Sequence, residues 1–154
     1  MKTIKLVSVG KPKDKCLETT ARRYALLFAR HFGLEEIQVR DADAALPPEA
    51  RRIKEGEAVL ARLKPGDLVI CLDERGRTYD SPAFSRELRH WLETGAPAFV
   101  IGGPFGLSEA VLARAAARLS LGPMTLPHEL ARVVLLEQFY RAATIMKNIP
   151  YHHA

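Results

Sequence analysis

Apolar and polar positions follow two alternating rhythms along the chain. Ile4 to Val9 predicts a short strand stopping at Gly10, with Lys11-Pro12-Lys13 as its exit. From Leu17, apolar residues recur at Ala21, Tyr24, Phe28 and Phe32, the spacing of one helical face, and Gly33 ends that helix. Arg22, Arg23 and Arg30 fall on the opposite face. Glu35 to Arg40 predicts a second strand, Asp41 to Pro48 a loop, and Pro48-Glu49 the opening of a helix to about Leu63. Lys64-Pro65-Gly66-Asp67 is a turn. Leu68 to Leu72 is apolar without alternation, as a parallel strand covered on both faces should be.

The second half repeats the theme. Ser81 as cap and Pro82 open a helix with Phe84, Leu88, Trp91 and Leu92 inward, ending near Gly95. Ala98 to Ile101 predicts a buried strand stopped by Gly102-Gly103-Pro104. Ser108 caps a helix to about Arg118, and Leu119 to Leu121 forms a brief strand. Gly122 to Pro127 is a loop leading to a last helix from His128 to about Asn148. Five strands with intervening helices predict an α/β fold, a mainly parallel sheet with helices on both faces, in a single domain over residues 1–154.

Composition narrows the class. With 154 residues, 47% apolar and 27% charged, the chain can bury a core, and disorder is excluded. No apolar run approaches the roughly 18 residues of a membrane span. The start, MKTIKLVSVGKPKDK, turns charged too early for a secretory signal. Two cysteines cannot build a disulfide framework, so a cytoplasmic location is expected. The net charge of +5 is lopsided: residues 1–66 hold 14 basic against 9 acidic residues, while residues 67–154 hold 9 of each. Such an excess suits a polyanionic partner, nucleic acid first, or solubility alone.

In an open α/β sheet, ligands bind beyond the carboxyl ends of the strands. Three loops qualify: Asp73 to Gly76, Gly102 to Gly106, and Gly122 to Pro127. Paired glycines let a ligand approach the backbone closely, although tight turns alone also use them. No G-x-G-x-x-G follows the first strand and no Walker A motif occurs, which argues against an ordinary dinucleotide or P-loop site. His and Cys spacing gives no zinc motif, so neither a metal nor a metal-dependent hydrolase is expected. The last helix is apolar over most of its circumference (Leu130, Val133, Val134, Leu135, Leu136, Phe139, Tyr140, Ile145), which predicts burial in both core and subunit interface. Glu137 and Arg141, four apart, are either a shielded ion pair or a catalytic pair.

The blocks LDERG (72–76), IGGPFGL (101–107), MTLPHELARVVLLEQFYRA (124–142) and NIPYHH (148–153) occur in the order found in the ribosomal RNA large subunit methyltransferase H family, which the chain resembles over its whole length. The resemblance implies a SPOUT-class enzyme with a C-terminal deep trefoil knot. It implies S-adenosylmethionine as cofactor, N3 of a pseudouridine in 23S rRNA as target, the assembled ribosome as substrate, and a homodimer whose partner completes the site. Carried onto this sequence, cofactor contacts fall on Leu72, Gly103, Leu121, Gly122, Pro123, Met124, Thr125 and Leu126. The candidate catalytic group is then Arg141, Glu137, His128, Tyr151 and His152, with the general base left open among them, and rRNA phosphates are expected to meet Lys11, Lys13, Lys15, Arg22 and Arg23. His153 stands where the family tail carries Arg or Lys. The alternative class is a non-catalytic RNA-binding or ribosome-assembly factor that kept the fold.

Overall fold

The computed structural model describes residues 1–153, in which five strands alternate with five helices. In order these are β1 (Thr3–Val9), α1 (Lys15–Ala29), β2 (Gly33–Val39), α2 (Pro48–Leu60), β3 (Asp67–Arg77), α3 (Ser81–Thr94), β4 (Ala96–Ile101), α4 (Glu109–Arg114), β5 (Ala117–Leu119) and α5 (His128–Met146). The strands pair in parallel, in the order β2-β1-β4-β3-β5.

The apolar pattern explains the layers. On β1, Ile4 and Leu6 pack with α1, α3 and α5, whereas Val7 and Val9 pack with the α2 and α4 side. On β4, Phe99 and Ile101 join the first cluster and Val100 the second. Strands covered on both faces have no solvent side, hence no alternation. Phe139 of α5 sits at the centre of the larger layer, edge-on to Phe99 at 4.8 Å and stacked with Phe84 at 6.4 Å. The smaller layer brings α2 against α4 so closely that a Cβ on Gly56 would lie 2.3 Å from Ser108 Oγ. Only glycine permits that approach.

Polar side chains tie the layers together. Arg132, 8% exposed, donates to Glu18 and Glu36 at 2.7 Å each, linking α5 to α1 and β2. Burial opposes its charge, but the bonds to Glu36 and Glu18 prevail and hold the guanidinium firmly protonated. Lys5 and Asp67 pair at 2.8 Å beneath the sheet.

Several expected boundaries move. Asp73 to Gly76 is no free loop: β3 runs on to Arg77, with an irregular register in which both Leu72 and Arg77 oppose Leu119. The cap of α3 is Asp80, whose carboxylate accepts from Ala83 N–H; Ser81 instead donates to Gln138. Helices α2 and α4 stop at Leu60 and Arg114 rather than near Leu63 and Arg118, and β5 covers 117–119 rather than 119–121. Helix α5 closes at Met146, two residues earlier than expected. Asp14 caps α1 through Cys16 N–H and Leu17 N–H, so that helix starts before its apolar stripe. No described helix is long and apolar enough to cross a membrane.

Candidate functional site

The chain segments leaving β3, β4 and β5 open at one edge of the sheet and enclose a cleft of about 1410 Å³. Leu72, Ile101, Leu119, Leu121 and Leu126 supply apolar walls, and His128 at the start of α5 lies on its border. Seven of the eight residues expected to contact a cofactor line it; Pro123 does not. Met124 lines it too, although its side chain is 82% exposed.

Two local devices shape the wall. Ser120 accepts from Gly122 N–H and donates to Glu74 O, while Thr125 donates to Glu74 Oε2 at 2.7 Å. Glu74 thereby fastens the 122–126 loop to β3, a role its sequence neighbourhood does not announce. The N–H groups of Leu121, Met124, Thr125 and Leu126 find no acceptor in the chain among the described residues, so they remain available to a ligand. The Gly102–Gly103 turn is the second device. A Cβ at Gly103 would point away from the cleft, 3.0 Å from Glu55 Oε1 and 3.3 Å from Val9 Cγ1. The space behind the turn is therefore tight for any side chain larger than glycine.

The remaining candidate groups gather elsewhere, on the C-terminal half of α5. Arg141 binds Glu137 through two nitrogens, at 3.2 and 2.7 Å. Tyr151 donates to Glu137 Oε2 at 2.6 Å, and its ring lies under the Arg141 guanidinium at 4.7 Å and against Tyr140 at 4.7 Å. Arg141 is also 3.2 Å from His152 Nδ1. The Glu137 bond raises the affinity of Arg141 for its proton against the opposing effect of burial. Burial, then the bond to Glu137, pushes the Tyr151 phenol well above its ordinary range, so it stays protonated at neutral pH. Thirteen residues of helix at about 1.5 Å each put Arg141 roughly 20 Å along the axis from His128. One chain does not bring all five catalytic candidates together.

Beside this cluster, Leu130, Val134 and Ile145 are only partly buried, and they lie on the same stripe as Glu137 and Arg141. Lys11, Lys13, Lys15, Arg22 and Arg23 are exposed around the start and outer face of α1. Among the described residues, no group of three His, Cys, Asp or Glu side chains converges as a metal would require.

Comparison with known proteins bears on this geometry. A family model described as "Predicted SPOUT methyltransferase" matches residues 1–152. The chain is 50% identical over 155 residues to "Ribosomal RNA large subunit methyltransferase H" of Nitratidesulfovibrio vulgaris (strain DSM 19637 / Miyazaki F), covering 99% of this chain and 100% of the relative. It is 46% identical to the protein of that name from Maridesulfovibrio salexigens, over 99% of each. Its fold is similar to that of a "Probable Methyltransferase" from Bordetella pertussis Tohama I, with TM-score 0.58 and 19% identity over 92% of this chain and 95% of that one. It is also similar to a ribosomal RNA small subunit methyltransferase E from Neisseria gonorrhoeae bound to S-adenosyl methionine, with TM-score 0.50 and 15% identity over 88% and 65%. These two likenesses concern the fold alone.

Proposed function

The chain belongs to the SPOUT methyltransferase family, and from that premise we propose that it uses S-adenosylmethionine to methylate N3 of a pseudouridine in 23S rRNA, on the assembled ribosome in the cytoplasm. The observation that carries this reading is the convergence of Leu72, Gly103 and the 121–126 loop on one cleft at the carboxyl edge of the sheet. The cleft suits the cofactor chemically. Leucines 72, 121 and 126 offer an apolar slot for a purine, and the unengaged N–H groups of the last loop match its hydrogen-bonding edge. We assign the stretch from the exit of β4 into α5 to the trefoil knot of the family.

When bound, the cofactor supplies an electrophilic methyl group on a sulfonium. The protein must then position the base and remove its imide proton. Arg141 is a fixed cation beside the base, and it favours the imide anion. Glu137 accepts from Arg141, Tyr151 and Gln138, which leaves it a holder of Arg141. Because an arginine only donates, His152 Nδ1 accepts from Arg141; we assign the remaining proton to Nε2, which donates to a base carbonyl. Tyr151 is held protonated and stacks. His128, at the cleft and with an imidazole that makes no hydrogen bond to the chain among the described residues, is left to take the N3 proton.

These roles need a homodimer. The partly buried stripe Leu130–Val134–Ile145 is the face on which a partner α5 would pack, bringing its Arg141 cluster to this chain's His128. The exposed cations of α1 then meet rRNA phosphates.

The test is methyl transfer from labelled S-adenosylmethionine to ribosomes lacking the modification, read by primer extension, since an N3 methyl blocks the pairing edge of the base. A stop at a single pseudouridine, with calorimetric binding of the cofactor, is expected. Ribosome binding without cofactor heat would instead make the protein a non-catalytic assembly factor.

A further inference from the structure

Glu55 is the most deeply buried carboxyl group among the described residues, at 3% exposure, and nothing in the proposed reaction uses it. It lies on the inner face of α2, one turn before Val59 and beside Gly56. One oxygen accepts from Ala42 N–H at 3.0 Å, in the loop that follows β2. The other oxygen is buried without a partner and lies 3.0 Å from where a Cβ on Gly103 would stand. The same helix grips that loop from outside. Arg51 lies over the Phe105 ring at 4.9 Å, and Arg52 donates to Phe105 O at 3.4 Å. A buried carboxyl with an idle oxygen is costly, so its retention behind a binding loop calls for a local reason.

We propose that Glu55 is a positioning residue for the cofactor cleft: it is the strut between the Ala42 loop and the Gly102–Gly103 turn, and it sets how far that turn stands out into the cleft. This rests on the cofactor reading above. The strut acts from behind, through shape and through the Ala42 bond, and does not touch the ligand. Its removal lets the turn fall back toward Val9 and α2, and the backbone that faces the cleft moves with it. It also crowds any Cβ at residue 103, which would stand 3.0 Å from the Glu55 carboxylate.

The experiment is a double-mutant cycle on S-adenosylmethionine affinity, measured by calorimetry on the full chain, with ribosome binding and thermal melting recorded in parallel. Glu55→Ala and Gly103→Ala are each expected to weaken cofactor binding about tenfold, while ribosome affinity holds. In the double variant the new methyl enters the space the carboxyl left, so the loss is expected to stay near that of one substitution rather than multiply. Glu55→Gln keeps the shape and an acceptor for Ala42, and should bind within about threefold of the parent. It also keeps the idea testable if Glu55→Ala does not fold. Multiplying losses in the cycle, a Glu55→Gln variant as weak as Glu55→Ala, or a folded Glu55→Ala variant with parental affinity would each overturn the strut. Failure of the parent protein to bind the cofactor at all would overturn the cofactor reading itself, a separate result.

Discussion

Tyr151 donates its phenolic hydrogen to Glu137 at 2.6 Å, and that carboxylate also grips Arg141. Tyr151 is thereby fastened to α5 by the group that holds its principal cation. Helix α5 has already ended at Met146, with Asn148 at positive φ, and Tyr151 covers Tyr140 and Arg141 as a flap of one residue.

Deleting Tyr151 to His153, together with Ala154, which lies outside the described residues, should uncover Arg141 while sparing the core. Methyl transfer is expected to fall at least about tenfold, or about 1.4 kcal/mol of transition-state stabilisation. Cofactor affinity and melting temperature should stay close to parental values. Parallel loss of all three would make the tail structural, and no change in any would remove Tyr151 and His152 from the site.

The partly buried stripe on α5 predicts the oligomeric state. Light scattering should give twice the 17.1 kDa chain mass for the parent protein. Val134→Glu places an unpaired charge on that stripe, and the mass should drop to that of one chain, with activity lost alongside. A parent that scatters as a monomer well above micromolar concentration would refute the shared site.

Arg22 and Arg23 are exposed on α1, and Arg22 has only a loose 3.5 Å pairing with Glu18. Changing both to Glu should cost the fold no more than about 0.5 kcal/mol. Ribosome binding should weaken, and the slope of log affinity against log salt should flatten by about 1.4–1.8, the share of two phosphates. An unchanged slope would leave those arginines to solubility.

Asp67 gives a pH test of stability. Burial pushes its carboxyl up, but the Lys5 ammonium and the Lys64 N–H outweigh that and hold it below the ordinary carboxylate range. The native state thus prefers the charged form. Its stabilisation is complete above the unfolded value of about 3.9 and drains as pH falls through the lower folded one. Asp67→Asn should cost about 1.5–3 kcal/mol at neutral pH, the worth of a hydrogen bond to a charged group. Urea melts at pH 7 and pH 3 should show that deficit shrinking in acid; a constant deficit would refute the assignment.

Local pattern was enough to give the number and order of the strands and helices, though not all their bounds, because side-chain rhythm reports which faces are buried. The unbroken apolarity of Leu68 to Leu72 marked a strand covered twice, and Ser108 marked the cap of α4, which it is. The family motifs named the cleft residues before the cleft existed. Rhythm does not report what a face is buried against. The polar run Asp73 to Gly76 reads as a loop, yet it belongs to β3 as the irregular stretch between Leu72 and Arg77, which both oppose Leu119 of the edge strand. Arg132 reads as one charge on a largely apolar helix, and it is buried with its charge paired because Glu18 and Glu36, 114 and 96 residues away in sequence, meet it there. Glu55 hides in a charged stretch, and only folding brings the Ala42 N–H to one of its oxygens and Gly103 beside the other. The partner-completed site is an implication of the family resemblance; the folded helix adds that His128 and Arg141 of one chain stand roughly 20 Å apart. Burial of a polar group is decided by partners that chain folding delivers from afar, and that information is absent from any local stretch of sequence.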